Sequence, residues 1–143
     1  MYVRKLLLAL LPILVLLSGC EVNETVTPNL QTGPMEVTVF PPPPGLIGPA
    51  AAPLEPATVL IYADGEDFRD ELNDDYLYSI QSLQTDLNVT TRVGEFNPGN
   101  YYVYAEQAYD VGGGITNIYS GGAAIQVQSD RVAIVDITLN VVN

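Results

Sequence analysis

Residues 132–142 read VAIVDITLNVV, with apolar side chains at Ala133, Val135, Ile137, Leu139 and Val141. A helix turns 100° per residue and would scatter these positions around its barrel. A strand puts all five on one side, because its side chains alternate. Asp136, Thr138 and Asn140 then face water. One face must be buried, so this strand needs a second apolar surface to press against, and the chain must be built of packed sheets.

Other segments carry the same period. In 101–106, Tyr101, Val103 and Ala105 form the apolar side, and Tyr102, Tyr104 and Glu106 the other. Asn97-Pro98-Gly99-Asn100 precedes them with proline and then glycine, the order of a type II turn. Residues 57–63, ATVLIYA, are apolar on both faces, so Leu60 and Tyr62 need a cover. Residues 64–75, DGEDFRDELNDD, follow directly and place Phe68 and Leu72 one helical turn apart. A short amphipathic helix over the sheet, or an acidic loop, fits that stretch. Further strands are predicted at 35–40, 76–83, within 85–96 (Val89, Thr91 and Val93 aligned) and at 124–128. A tight hairpin is expected at Ser129-Asp130. Gly112-Gly113-Gly114 makes a rigid element unexpected across 108–122. About seven strands and no long helix predict a single all-β sandwich.

The proline-rich residues 41–56 form a stiff connector. Either the strand at 35–40 joins the sandwich and the prolines cross over, or folding begins near Ala57. The first is preferred, since an unpaired β-prone segment invites aggregation.

Gly94, Phe96, Pro98, Gly99, Tyr101, Val103 and Ala105 resemble the G-x-F … P-G-x-Y-x-V-x-A pattern of transthyretin-like (prealbumin-like) modules, which include carboxypeptidase regulatory-like and collagen-adhesin B-type domains. Ala57, Val59 and Ile61 are similar to that family's A-x-V-x-I strand, and the VDITL of the final strand to its closing strand. Thr85-Asp86 stands where the family has its T-D. The family's D-x-x-G is missing, since the next glycine after Asp86 is Gly94. The resemblance implies a spacer, stalk, pilin or binding accessory.

The first 20 residues, MYVRKLLLALLPILVLLSGC, have a basic start, an apolar run from Leu6 to Leu17, and small residues before a cysteine. The run is too short to span a bilayer, and the layout is that of an export signal. Its end, Leu17-Ser18-Gly19-Cys20, resembles the lipobox of bacterial lipoproteins. That resemblance implies lipid transfer to the Cys20 sulfur, cleavage before it, and acylation of the new amine. Cys20 is the only cysteine, so no internal disulfide competes for it. The expected organisation is a signal at 1–19, a tether at 20–34 and a domain at 35–143. Glu21 is not the aspartate linked to inner-membrane retention, so by analogy the outer membrane is favoured.

Without Arg4 and Lys5, three arginines face 17 acidic residues, a net charge of −14 with no lysine or histidine left. Nucleic acid is excluded as a partner, because displacing counterions from phosphate takes cations. Attachment to anionic lipid by charge is excluded on the same ground. The usual nucleophile–base pairs are absent, so no enzyme is expected. No cofactor is expected either. Asp64, Asp67, Asp70, Asp74 and Asp75 are weak candidates for calcium, though their spacing is not that of an EF-hand. Tyr76, Tyr78, Tyr102 and Tyr104 are the candidate contacts for an envelope protein or glycan; cross-strand pairing or burial under the acidic segment is their structural alternative. A non-catalytic envelope lipoprotein is the leading expectation. A pilus-type subunit that exchanges the strand at 35–40, and a calcium-dependent adhesion module, are the rivals.

Overall fold

The structure is a computed structural model and describes residues 31–49, 51–73 and 79–141. In chain order its elements are β1 (Gly33–Phe40), β2 (Ala52–Pro53), β3 (Ala57–Tyr62), α1 (Gly65–Asn73), β4 (Gln81–Thr85), β5 (Thr90–Phe96), β6 (Gly99–Asp110), β7 (Thr116–Val127), β8 (Ala133–Thr138) and β9 (Asn140–Val141). They form two sheets. The smaller has the order β5-β1-β8, and the larger the order β4-β3-β6-β7-β9 with β2 against β6. This is a β-sandwich, and seven of its described strands are longer than two residues.

The alternation read from sequence decides what lies between the sheets. Met35, Val37 and Val39 of β1 have no exposed surface, nor do Ala57, Val59 and Ile61 of β3 or Val103 and Ala105 of β6. Val135, Ile137 and Leu139 close the core from β8 and the residue after it. Apolar area removed from water drives this packing, at roughly 25 cal/mol per Å2.

β1 settles the question posed by the proline connector. It pairs antiparallel with β5, Val37 opposite Thr91, and parallel with β8, Val37 opposite Val135. The segment at 35–40 is therefore an internal strand of the smaller sheet. It starts at Gly33, two residues before the expected boundary.

Several expectations are corrected. The last strand does not keep one face inward to Val141. After Leu139 the chain leaves β8 and joins the larger sheet as β9, where Val141 opposes Tyr119 and is 46% exposed. Gly99 does not take the left-handed conformation of a type II turn; it is the first residue of β6, opposite Val127. Pro98 lies at a corner where the chain passes between sheets, so no reversal within one sheet is needed. The Tyr101 hydroxyl pins that corner by donating to the Asn97 carbonyl at 2.9 Å.

The stretch 108–122 is also more regular than its glycines suggest. β6 and β7 form one hairpin in continuous register from Gly99–Val127 to Asp110–Thr116. Gly112, Gly113 and Gly114 occupy only its turn, all with positive φ. Ser129-Asp130 is a turn but not a hairpin, since β7 and β8 belong to different sheets. Of the strand expected at 76–83, residues 76–78 lie outside the described residues, and Ser79 and Ile80 precede β4; Val89 precedes β5 and is half exposed.

Candidate functional site

The outward side of β6 carries Tyr102 and Tyr104, and β3 places Tyr62 opposite Tyr102. Strand alternation put all three outside the core, so something had to cover them. The cover is Phe68 of α1. Its ring lies 4.9 Å from Tyr102, 4.8 Å from Tyr104 and 5.4 Å from Tyr62, centroid to centroid. Tyr62 is 1% exposed, and Tyr102 and Tyr104 are half-buried. Gly122 leaves room for this cluster, because a Cβ there would lie 2.4 Å from the Tyr102 oxygen.

Tyr104 donates its hydroxyl to Glu106 Oε2 at 3.2 Å. Burial pushes its phenol above the ordinary range, and the neighbouring Glu106 charge acts in the same direction. The side chain therefore stays a protonated donor. Beyond Tyr104 no described residue covers this face. A groove of about 550 Å3 runs past Glu106, Ile118 and Val141.

The acidic stretch builds the helix start. Asp64 Oδ1 accepts the backbone N–H of Glu66 at 2.8 Å and of Asp67 at 3.0 Å, the bonds of an N-cap. Glu66 and Asp67 in the first turn suit the positive end of the helix dipole. Asp70 falls within α1. Among the described residues, no group of three or more acidic or other ligating side chains is placed to hold a metal ion. The cap has a pH consequence. The bonds from Asp67 and then Glu66 hold the Asp64 carboxyl below its usual value of 3.8. A lowered folded-state pKa means that the stabilisation is present above the unfolded value and is lost as pH falls through the folded one. Protection of the amides at 65–68, relative to their intrinsic exchange rates, is expected to fall selectively below about pH 4, and Asp64→Ala to abolish that pH dependence.

Cys20, Asp74, Asp75, Tyr76 and Tyr78 lie outside the described residues. Among the described residues, no helix is long and apolar enough to cross a membrane. No family profile, curated protein or solved structure matches the chain. Gln107 escaped the sequence reading. The alternation Tyr101, Val103, Ala105 predicts an inward side chain there, and a polar residue at a core position is itself a signal.

Proposed function

We propose that the chain is a non-catalytic envelope lipoprotein. In this reading it is anchored through Cys20, with the outer membrane favoured, and its sandwich is a transthyretin-like binding or structural accessory module. The observation that carries the reading is the sequence LSGC at 17–20, after an apolar run too short to span a bilayer. The spacing supports it. Twelve residues separate Cys20 from Gly33, the first residue of β1. Fully extended, they reach at most about 40 Å, enough to lift a domain clear of lipid headgroups. Several acyl chains on one residue anchor firmly, at about 0.8 kcal/mol per buried methylene.

The rival, a subunit that donates the strand at 35–40, must vacate a central position. β1 is hydrogen-bonded on both sides and fills the core with Met35, Val37 and Val39. The anchored reading is therefore preferred.

Mass spectrometry of the protein expressed in a bacterium with two membranes tests it. The mature amino terminus is expected at Cys20 with a diacylglyceryl mass on its peptide. Cys20→Ala is expected to leave an unprocessed precursor. A wild-type product starting at any other residue, or lacking lipid, ends the proposal.

A further inference from the structure

Beyond Phe40 the proline stretch loops back over the end of the sandwich. The Leu46 N–H donates to the Pro43 carbonyl at 2.8 Å, and the Leu46 carbonyl accepts the Tyr119 hydroxyl at 3.3 Å. Between Phe40, Pro41, Pro44, Ile47 and Ala51 lies a groove of about 710 Å3, the size of a site that takes a side chain or a small molecule. Asn88 brings a polar side chain to its wall. The Asn88 backbone is left-handed, with φ of 61°, and its N–H donates to the Val39 carbonyl at 2.8 Å, which fixes its position. Proline has a locked φ, so this wall loses little freedom when something docks.

Charge marks this end of the domain. Residues 37–54 carry no charged side chain. The charged residues beside the groove are exposed carboxylates: Asp86, two residues before Asn88, and Asp110, opposite Ala52. The arginines lie toward the other end. Arg131 is beside Gly33, Arg92 pairs with Glu95 opposite Pro34, and Arg69 is on α1, which covers Tyr102. This arrangement selects an occupant. A second copy would bring its own carboxylates to the rim. The anchoring bilayer lies on the side of Gly33, an eight-residue strand or roughly 25 Å away. A basic segment meets the rim with opposite charge. An aromatic ring suits a proline wall, the pairing by which proline-rich segments are recognised, and an aromatic anchor in a pocket is a common centre of protein contacts.

We propose that this groove takes a tryptophan or tyrosine of a basic protein segment. The ring lies against the prolines, its N–H or O–H meets the Asn88 side chain, and the lysines or arginines beside it face Asp86 and Asp110. The site gives a partner class to the binding module proposed above and rests on that reading. The two fail separately. Lipid missing from Cys20 would end the anchor and leave binding at the groove unchanged, whereas a lipidated chain with no such binding would end this proposal alone.

The experiment is NMR titration of the full chain, held in phosphatidylcholine nanodiscs, with three blocked peptides: Lys-Trp-Lys, Lys-Ala-Lys and Glu-Trp-Glu. Lys-Trp-Lys is expected to saturate with Kd on the order of 0.1–1 mM, shifting the amide signals of Phe40, Ile47, Ala51 and Asn88. The other two are expected to bind at least about tenfold more weakly. Asp86→Asn with Asp110→Asn keeps the shape and is expected to weaken Lys-Trp-Lys about fivefold and to flatten its salt dependence. Gly48→Trp fills the groove from its own wall. A Cβ there meets nothing within 4 Å, and the Gly48 φ is not left-handed, so the fold is expected to hold and saturation to vanish. A melt confirms folding, and the aspartate pair keeps the test open if Gly48→Trp does not fold. The proposal is overturned if Lys-Trp-Lys does not saturate by about 10 mM, if either control peptide matches it, if a folded variant binds like wild type, or if the shifts fall outside the groove. It is equally overturned if a spin label in the bilayer broadens the groove signals before peptide is added, or if those signals move on dilution; the occupant would then be lipid or a second copy.

Discussion

A chain lacking residues 33–40 is expected to show no cooperative thermal transition. β1 is the middle strand of the smaller sheet, so its loss separates β5 from β8. It also removes Met35, Val37 and Val39, all without exposed surface. Each such side chain contributes roughly 2 kcal/mol, so the three together approach the ~5–15 kcal/mol that holds a typical domain. The broken ladders to β5 and β8 add to that loss. Circular dichroism on heating is the measurement. A cooperative melt within a few degrees of wild type, roughly the effect of 1 kcal/mol, would show that β1 is dispensable. Such a result would also reopen strand donation as the function.

The second large effect separates two adjacent glycines. A Cβ on Gly121 would lie 2.5 Å from the Thr138 carbonyl oxygen and 3.0 Å from Ile137 Cγ2. The oxygen belongs to the backbone of β8 and cannot swing away. Gly121→Ala is expected to destabilise by about 2–3 kcal/mol, as overpacked cores do, which is roughly 10 °C in Tm for a domain of this size. At Gly122 the close atoms belong to the end of the Tyr102 side chain. That ring can tilt at the expense of its contact with Phe68, so Gly122→Ala is expected to cost under about 1 kcal/mol. Denaturant melts of both variants decide the matter. Equal losses, or the reverse order, would mean that the approach of β7 to β8 is not the tight contact described.

Much of this architecture was legible because period two is a strong signal. Val135, Ile137 and Leu139 read as buried and are buried; so are Val59, Ile61, Val103 and Ala105. The need for a cover over Tyr62 was also legible, as was its source in the stretch holding Phe68. What failed were the points where the chain changes sheet. Local residue preferences describe a turn but not which strand lies beyond it. Pro98-Gly99 therefore reads as a type II turn, and Val141 as a continuation of the last strand. The length of β7 was hidden for a related reason. Gly121 and Gly122 weaken a strand taken alone, yet here they admit β8 on one side and Tyr102 on the other. Gln107 was missed because the alternation was followed only as far as Glu106, one residue short of it. The proposed membrane anchor rests on Cys20, which lies outside the described residues, and is argued from the sequence.

Both flanks of the sandwich are crossed by continuous chain. On one, a single run of chain leaves β8 and pairs with β7 as β9, so covalent bonds bridge the sheets. On the other, residues 86–89 carry the chain from β4 of the larger sheet to β5 of the smaller, and side chains reinforce that bridge: Gln81 Nε2 donates to the Val93 carbonyl at 3.0 Å, and the Thr85 and Thr91 hydroxyls lie 2.5 Å apart. Such an assembly is stitched along both edges, so neither side offers a loose mouth at which the sheets could part before the core itself gives way.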